Sequence, residues 1–333
     1  MSEQDTDDSY VRKFGFRRFT GVRKARWYRV MTVAWFNLRE AVRRSGFTKL
    51  LLVFMLFTIL AQDIVIIALS MFSPFIGPGL DVAELFRHSY ADSVIGMVSL
   101  INRVSVIPPD IFGPFGLMLP LSLTSGGISF MWLLLMAMVG GGLIADDRLH
   151  QTTEVYFARI SRFEYVIGKL ASLILFSVIV VMLPAVVQYF LLNYGLGTDV
   201  FASLDLLLWA IGFTLMAAVI VSILTIALSS LTKRRAVATL TLFIAAIIMS
   251  SFYTAVALAW NQSESLLILL DFIGALSLMG AVALGYTEVT VNGYNVYFFN
   301  EIGVEAIMVV GVVAATLLLG ILALVFTLFR RDT

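Results

Sequence analysis

Few side chains in this sequence of 333 residues could carry out chemistry. It contains no cysteine and two histidines, His88 and His150, so thiolate chemistry is excluded and no histidine-rich metal site is expected. The H-E-x-x-H and G-x-S-x-G motifs of metal-dependent and serine hydrolases are absent from the sequence. Asp63 and Asp271 could pair as catalytic acids, but neither occupies a central helix position. The sequence therefore predicts no enzyme: no catalytic residue, no metal site and no cofactor bound by this chain.

A second group of polar side chains lies within long apolar runs, where ionisable groups are costly and often functional. Asp63 stands thirteen residues after Leu50, where the first such run starts. A contact with a substrate or a proton is one interpretation of Asp63, and a water-exposed position near the outer interface is the favoured one. Gln188 is predicted to form hydrogen bonds between helices. Asp271 is predicted to lie where water reaches an outer vestibule.

The most informative polar segment is the 146–164 loop, which follows the second apolar run. Asp146 and Asp147 would favour the N-terminus of a helix through the helix dipole, so a short helix is predicted from about Asp147 to Phe157. The apolar and aromatic residues at the end of this helix are Val155, Tyr156 and Phe157. Two interpretations of this cluster stay open: an anchor for a protein partner, or a contact with the lipid interface, where tyrosine is common.

The composition indicates which elements must position these residues. Hydrophobic residues make up 60% of the chain and charged residues 14%, against about 25% charged residues in a soluble domain. With a mean hydropathy of +0.95, the chain is predicted to be an all-α polytopic membrane protein. The apolar runs predict six transmembrane helices, at about 50–71, 125–145, 165–192, 206–231, 236–260 and 302–329. A seventh run at 266–284, interrupted by Asp271, Gly274 and Gly280, is predicted to be a re-entrant or surface segment before the last span.

Basic residues predict the orientation in the membrane. Of the 23 lysines and arginines, Arg87 and Arg103 alone fall outside the N-terminal segment, the segments after the second and fourth predicted spans, and the C-terminal end. The positive-inside rule therefore predicts that both termini lie in the cytoplasm, with the chain crossing the plasma membrane several times. Residues 1–25 are predicted to be a disordered, basic cytoplasmic tail.

The segment just before the first span has the spacing of an amphipathic helix. Its apolar residues are Trp27, Val30, Met31, Ala34, Trp35, Leu38 and Val42. They recur every three or four residues, while arginines occupy mainly the other faces. We therefore predict an N-terminal amphipathic helix in the cytoplasmic headgroup layer of the lipid bilayer. A plain basic anchor before the first span is the alternative.

Two other segments are predicted to contribute to packing. The 72–124 loop has helix-compatible apolar spacing followed by Pro and Gly breakers, which predicts a short outer helix and then irregular chain. This loop is expected to pack on the membrane surface or on a partner subunit. The glycines at 140–142 would let helix backbones approach closely, so helix packing is favoured there over hinge motion.

The 146–164 loop and the start of the next span resemble type-2 ABC transporter permeases. The matching residues are Asp147-Arg148, Thr152-Thr153-Glu154, Val155 to Phe157, Ala158-Arg159, Ser161-Arg162, Tyr165 and Gly168-Lys169. Gln151 stands where the family usually has glycine, and the proline that usually follows the position of Arg159 is absent. The resemblance extends over most of the chain from Trp27, but its specific part is this segment.

The resemblance implies that residues 26–333 form a permease-like transmembrane domain that pairs with a second permease copy, identical or not. It implies an exporter, driven by cytoplasmic ABC ATPase subunits that dock on the 146–164 loop. The implied coupling residues are Asp147, Arg148, Thr152, Glu154, Tyr156, Phe157, Arg159 and Arg162. Independently, the sequence lacks the G-x-x-x-x-G-K-[ST] phosphate loop, so ATP and Mg²⁺ are expected to bind to a partner subunit. No nucleic-acid partner is predicted.

Two other functions remain open. An ion-driven secondary carrier should have charged residues near the middle of the membrane and broken helices in both halves, and this sequence offers one candidate acid, Asp63, and no evident inverted repeat. A membrane scaffold would recruit a cytoplasmic partner without transport. Copurification with an ATPase, and stimulation of that ATPase by this chain, would distinguish a coupled permease from both.

Overall fold

The computed structural model of the chain describes residues 25–44, 46–71, 82–98, 104–105, 121–157, 160–260, 271–286, 288–291, 295–298 and 306–329. The helices are α1 (Arg26–Arg44), α2 (Gly46–Met71), α3 (Val82–Gly96), α4 (Leu121–Leu149), α5 (Thr152–Phe157), α6 (Arg162–Ser177), α7 (Leu183–Leu196), α8 (Leu204–Leu231), α9 (Arg235–Trp260), α10 (Phe272–Ala283) and α11 (Ala306–Phe329). The strands are β1 (Val104–Ser105), β2 (Glu288–Val291) and β3 (Asn295–Phe298). Nearly all of the predicted tail, residues 1–24, lies outside the described residues.

Among the described residues, five stretches of helix are long and apolar enough to cross a membrane. They are Gly46–Ala68, Phe130–Leu149, Arg162–Leu196, Leu204–Leu231 and Ile307–Thr327. This confirms a predominantly helical, multi-pass membrane protein. The fifth predicted span coincides with α9, whose apolar stretch Arg235–Met249 is shorter than the others. Helix α10, with 12 residues, rises about 18 Å at about 1.5 Å per residue, which is less than the roughly 30 Å of membrane hydrocarbon.

The third spanning stretch contains a wider helical turn. Between α6 and α7, residues Val178–Met182 form a π-helical turn in which the Leu183 N–H donates to Val178 O. Pro184 follows immediately, near the start of α7. Proline has no N–H, and its ring clashes with the carbonyl four residues earlier in a regular α-helix, so the wider turn relieves both problems. The Trp132 Nε1–H of α4 donates to Ser177 Oγ at 3.1 Å, directly before this turn.

Helix α8 lies at the centre of the molecule and packs against α4, α6, α9 and α11. The glycines of α4 make this packing close: a Cβ atom added at Gly140 would meet the Thr225 side chain of α8, and one at Gly141 would meet Thr239 of α9. The Ser229 hydroxyl of α8 donates to Gly141 O at 2.9 Å. The close contacts agree with the predicted packing role of these glycines.

Helix α3 is the predicted short outer helix, but it does not lie on a surface. Its residues from Ser89 to Gly96 are all buried, and it packs against α4, α7, α8 and α10. The expectation that this segment rests on the membrane or on a partner is therefore wrong for α3. The reason is that aromatic and aliphatic side chains on several faces of α3 insert between the longer helices; the ring centroids of Tyr90 and Tyr189, for example, are 5.4 Å apart.

A small sheet adds to the predicted all-helical architecture. Strand β2 lies between β1 and β3, and both pairings are antiparallel. Val104 pairs with Val291, and Glu288 pairs with Phe298. The sheet therefore joins the segment after α3 to the segment after α10.

Candidate functional site

The 146–164 loop is built differently from its prediction. Helix α4 continues to Leu149, so Asp146 and Asp147 lie in its last turns, and the separate short helix α5 begins only at Thr152. The predicted start of a helix at Asp147 is therefore wrong. Acidic residues at a helix C-terminus are disfavoured by the helix dipole, but here both carboxylates face cations: Asp147 faces Lys169, and Asp146 faces Arg235 at 4.0 Å.

The turn between α4 and α5 depends on Gln151. Its φ of 57° places it in the left-handed region, and it is the one non-glycine residue with positive φ in the described part of the chain. Side chains with a Cβ are disfavoured in this region, whereas glycine is not. A glycine at this position would adopt the same conformation without that cost.

Asp147 is the centre of the site. Its Oδ2 lies 2.7 Å from Lys169 Nζ and accepts a hydrogen bond from the Tyr165 hydroxyl at 2.6 Å. Its Oδ1 accepts from the Thr152 hydroxyl at 3.1 Å. One carboxylate at the end of α4 therefore binds the first residue of α5 and two residues of α6.

Lys169 extends these contacts to a fourth helix. Its Nζ donates to Asn37 Oδ1 of α1 at 3.0 Å, and it lies 5.7 Å and 5.4 Å from the ring centroids of Tyr156 and Tyr165. The Lys169 side chain is 4% exposed. A buried ammonium group is tolerated when it is paired and hydrogen-bonded, and here the partners come from α1, α4, α5 and α6.

A second group of contacts fixes α1 to the start of α6. Ser161 and Glu164 form a capping box: the Ser161 hydroxyl accepts from Glu164 N, and Glu164 accepts from Ser161 N. The other Glu164 oxygen accepts from Arg29 Nη2 of α1 at 2.9 Å. Arg26 is 3.8 Å from the same oxygen but is largely exposed, so it adds little.

The aromatic residues of α5 turn toward the protein. The ring centroids of Tyr156 and Phe157 lie 5.4 Å and 5.5 Å from that of Tyr165, and both residues are half-buried. Burial, and after it the carboxylates of Asp147 and Glu40, raise the pKa of Tyr156 above its ordinary value. These two rings therefore hold α5 against α6, a role that neither of the two open interpretations included.

Of the other predicted coupling residues, Arg148 and Arg162 lie at the edges of the site. The Arg162 guanidinium lies 5.5 Å from the Phe157 ring centroid, and Arg148 is half-buried near the end of α4. The side chain of Glu154 and the whole of Arg159 lie outside the described residues. In the described part of the loop, residues 149–151 form the longest exposed run, and Ser161 and Phe163 are exposed as well.

A crevice of about 100 Å³ lies beside these contacts. Residues of α1, α4, α5, α6 and α9 line it, among them Glu40, Asp146 and Arg235. Arg235 closes one side, because its Nη2 donates to Met138 O of α4 at 2.7 Å. The crevice is therefore framed by α9 together with the four helices that the Asp147 and Lys169 contacts join.

Sequence reasoning did not include Asn37, Glu164 and Lys169 among the site residues. The S-x-x-E spacing of Ser161 and Glu164 is a capping-box pattern that could have identified Glu164. Lys169 lies in a predicted span, where a charged residue needs a partner. For Asn37, which shares one helix with the apolar stripe of α1, we find no comparable local signal.

The polar residues of the apolar runs fall into two separate places. Asp63 of α2 accepts a hydrogen bond from Gln188 Nε2 of α7 at 2.6 Å, and Gln188 Oε1 accepts from the Ser93 hydroxyl of α3 at 2.9 Å. Gln188 thus makes the interhelical bonds that its type predicts. Asp63 is 2% exposed, so the expected water-exposed position is wrong; its carboxylate turns inward to Gln188 of α7.

Asp271 is also buried, with no exposed surface, and caps the start of α10 by accepting from Ile273 N at 3.3 Å. Its predicted place in a water-filled vestibule is therefore wrong, because a capping side chain turns back onto its own helix. Within the described residues, the hydrogen-bond partner of Asp63 is Gln188 and not Asp271. The structure does not bring the two acids together as a dyad.

The fold and the site define a multi-pass helical membrane protein in which a short helix is fixed to the ends of three longer ones. No group of three or more His, Cys, Asp or Glu side chains that could hold a metal ion occurs in the described ranges. A scan against protein-family models, a search of curated proteins and a search of solved structures each found no match to this chain.

Proposed function

We propose that this chain is the membrane-spanning permease subunit of an ATP-driven exporter of the type-2 ABC kind. In this proposal a separate cytoplasmic ABC ATPase subunit binds ATP and Mg²⁺ and docks on the 146–164 loop. Two permease copies pair in the plasma membrane with both termini in the cytoplasm. Helix α9 crosses the membrane in addition to the five longer stretches, which gives six spans, and α10 is the re-entrant or surface segment.

The observation that carries the proposal is the attachment of α5. This helix of six residues has no hydrophobic core of its own, and it is held by Asp147, Lys169 and Tyr165 to α4 and α6. Lys169 also binds Asn37, so α1 is joined to the same point. A force applied to α5 would therefore move the ends of three longer helices together, which is what a coupling element has to do.

The π-helical turn is a place where the third spanning stretch can bend when α5 moves. The residues of the third spanning stretch that contact α5 and α1 lie in its first part, between Arg162 and Lys169. The π-helical turn at Val178–Met182 follows about two helical turns later. Insertions in the regular hydrogen-bond pattern are common sites of helix bending. ATP-driven closure of the ATPases would tilt α6 relative to α7 and shift the population between inward-open and outward-open packing.

Docking would involve the exposed turn before α5. Leu149 is 55% exposed, and His150 and Gln151 are also exposed. Tyr156 and Phe157 pack inward, so they would stiffen α5 rather than enter the partner. An apolar side chain at the tip of a loop suits insertion into a groove of the ATPase.

The experiment is copurification of the full chain with an ABC ATPase subunit, followed by measurement of ATP hydrolysis in lipid membranes. We expect this chain to stimulate the ATPase, and Leu149→Arg to lower both the recovered ATPase and its stimulation several-fold. Leu204→Arg is the matched control. Leu204 is 43% exposed and is the first residue of α8. It lies at the opposite end of α8 from Ser229, which contacts α4, the helix that leads into the 146–164 loop. Absence of an ABC ATPase, or equal losses in both variants, would contradict the proposal.

A further inference from the structure

Asp63, Ser93 and Gln188 form a hydrogen-bonded group, here called the polar junction. It is separate from the contacts around Asp147 and Lys169. It joins three helices, α2, α3 and α7, and Asp63 and Gln188 each lie in a stretch that is long and apolar enough to cross a membrane. The Gln188 amide is fully used: its nitrogen donates to Asp63 Oδ1, and its oxygen accepts from Ser93. The orientation of Gln188 is therefore set from both sides.

The second oxygen of Asp63 has no such partner. Asp63 Oδ2 is buried and accepts no hydrogen bond within the described part of the chain. The hydroxyls of Ser89 and Tyr90 in α3 are likewise buried and unpaired there. Ser89 precedes Ser93 by one helical turn, so it lies on the face of α3 that meets the polar junction. In and beside the junction, buried polar atoms are therefore left without a hydrogen-bond partner in the described part of the chain.

No cation among the described residues balances a charge on Asp63. The described charged and titratable side chains on α2, on α1, α4 and α7, which pack against it, and on α3 are Arg26, Tyr28, Arg29, Arg39, Glu40, Arg43, Lys49, Glu84, Arg87, His88, Tyr90, Asp92, Asp146, Asp147, Arg148, Tyr189 and Tyr194. None of them makes an ion pair or hydrogen bond with Asp63 in the ranges that the structure describes. Arg87, for example, pairs with Asp205 at 3.2 Å.

We propose that Asp63 is a proton-binding site, with the proton held on Oδ2 and taken from water. A carboxylate buried in hydrocarbon without a cation loses its hydration, and one hydrogen bond from a neutral amide offsets only part of that loss. The neutral acid keeps the hydrogen bond from Gln188 to Oδ1 and carries no charge. Release of the proton leaves the carboxylate, so it requires water to enter between α2, α3 and α7. This site is independent of ATP-driven transport.

The test is infrared spectroscopy of the full chain in lipid membranes, which detects the carbonyl stretch of a protonated carboxylic acid. At neutral pH we expect a band that shifts in D₂O and is lost in Asp63→Asn. The matched control is Asp205→Asn: Asp205 is exposed and paired with Arg87, so this change should leave the band intact. A band that is present in both wild type and Asp63→Asn, or absent from both at neutral pH, would overturn the proposal.

A second variant keeps the test decisive if Asp63→Asn does not fold. Gln188→Leu removes the hydrogen bond to Oδ1, so the same carbonyl band should move to higher frequency while the amount of protonated acid is kept. No shift in this variant would assign the band to another acid and reject the site. Thermal stabilisation by Na⁺ that is lost in Asp63→Asn would also reject it, because the ligand would then be a metal cation. None of these measurements involves an ATPase, so their failure is distinct from failure of the proposed function.

Discussion

At the scale of single residues, the Asp147 and Lys169 pair joins a buried ammonium group to a half-buried carboxylate. Taking two charges out of water is unfavourable, and the attraction between them offsets this only when other polar groups complete the site. Tyr165, Thr152 and Asn37 supply those groups. The pair therefore determines which helices meet here more than it adds to the total stability.

We expect Lys169→Met to lower the free energy of unfolding by up to about 3 kcal/mol, the lower end of the range for fully buried pairs, because it leaves the half-buried Asp147 carboxylate without its cation. Asp147→Leu combined with Lys169→Met should lose much less than the sum of the single changes, since no charge is left unpaired. Chemical denaturation of the single and double variants in detergent measures this coupling. Additive losses would show that the two side chains do not interact.

Gln151 offers a smaller and opposite effect. Its left-handed conformation is unfavourable by about 1–2 kcal/mol for a residue with a Cβ, so Gln151→Gly should preserve or raise the unfolding midpoint. Gln151→Val should lower it, because a β-branched side chain is the least compatible with positive φ. Thermal unfolding of the two variants compares them directly. A lower midpoint for Gln151→Gly than for Gln151→Val would mean that the turn has a different conformation in the membrane.

At the scale of elements, the glycines of α4 allow a test of whether they serve close helix packing or helix flexibility. Gly141→Ala would place a Cβ against Thr239, including its backbone N at 3.1 Å. We expect a loss of about 1–3 kcal/mol, the usual effect of overpacking. Gly212→Ala in α8 is the matched control, since nothing lies within 4 Å of its added Cβ; it should be neutral or stabilising by up to about 1 kcal/mol. Equal effects in denaturation experiments would point to chain flexibility instead of packing.

Helix α1 has two apolar sides with different neighbours. Val30, Ala34 and Leu38 are buried, whereas Trp27 and Trp35 are 70% and 66% exposed. The Val33 side chain lies against Gly168, where a Cβ would come within 2.8 Å of it. The predicted single stripe therefore divides into a side that packs on α6 and a side that is exposed.

This division yields a prediction about membrane depth. Met31→Glu with Trp35→Glu removes exposed apolar surface, so we expect α1 to rise from the lipid interface while the protein stays folded. Leu38→Glu instead introduces a charge at a buried position and should reduce the yield of folded protein. Spin labels on α1 measure the depth, and size-exclusion chromatography measures folding. An unchanged label depth in the double variant would argue against an interfacial position for α1.

Local patterns in the sequence predict most of the helices but few of the contacts between them. Apolar runs place α8 within two residues of its observed bounds, because burial in a membrane and helix length are both local properties. The site depends on pairs that are remote in sequence: Arg29 and Glu164 are 135 residues apart, and Asn37 and Lys169 are 132 apart. No local pattern specifies which distant side chain completes a buried charge. The contact of Asp63 with Gln188, 125 residues away, is missed for the same reason.

At the scale of the whole molecule, the absence of cysteine makes orientation directly measurable. Single cysteines at Gln151 and at Phe201 would report opposite ends of the helical bundle; Phe201 is 83% exposed in the turn between α7 and α8. If the positive-inside rule holds, Gln151→Cys should react with a membrane-impermeant thiol reagent only after the cells are opened. Phe201→Cys should react in intact cells. The reverse pattern would invert the proposed orientation and remove the 146–164 loop from reach of an ATPase.

The β-sheet bears on how the chain is made. Strand β1 is synthesised early, but its partner β2 follows the insertion of most of the helices, and the pairing of Val104 with Val291 spans that whole interval. Until the ribosome has delivered β2, β1 has no neighbour to satisfy its backbone groups, and an unpaired strand edge invites pairing with other chains. Closing so distant a contact is a slow step. The sheet would then form late in biogenesis, and an unpaired β1 would mark chains whose translation stopped early.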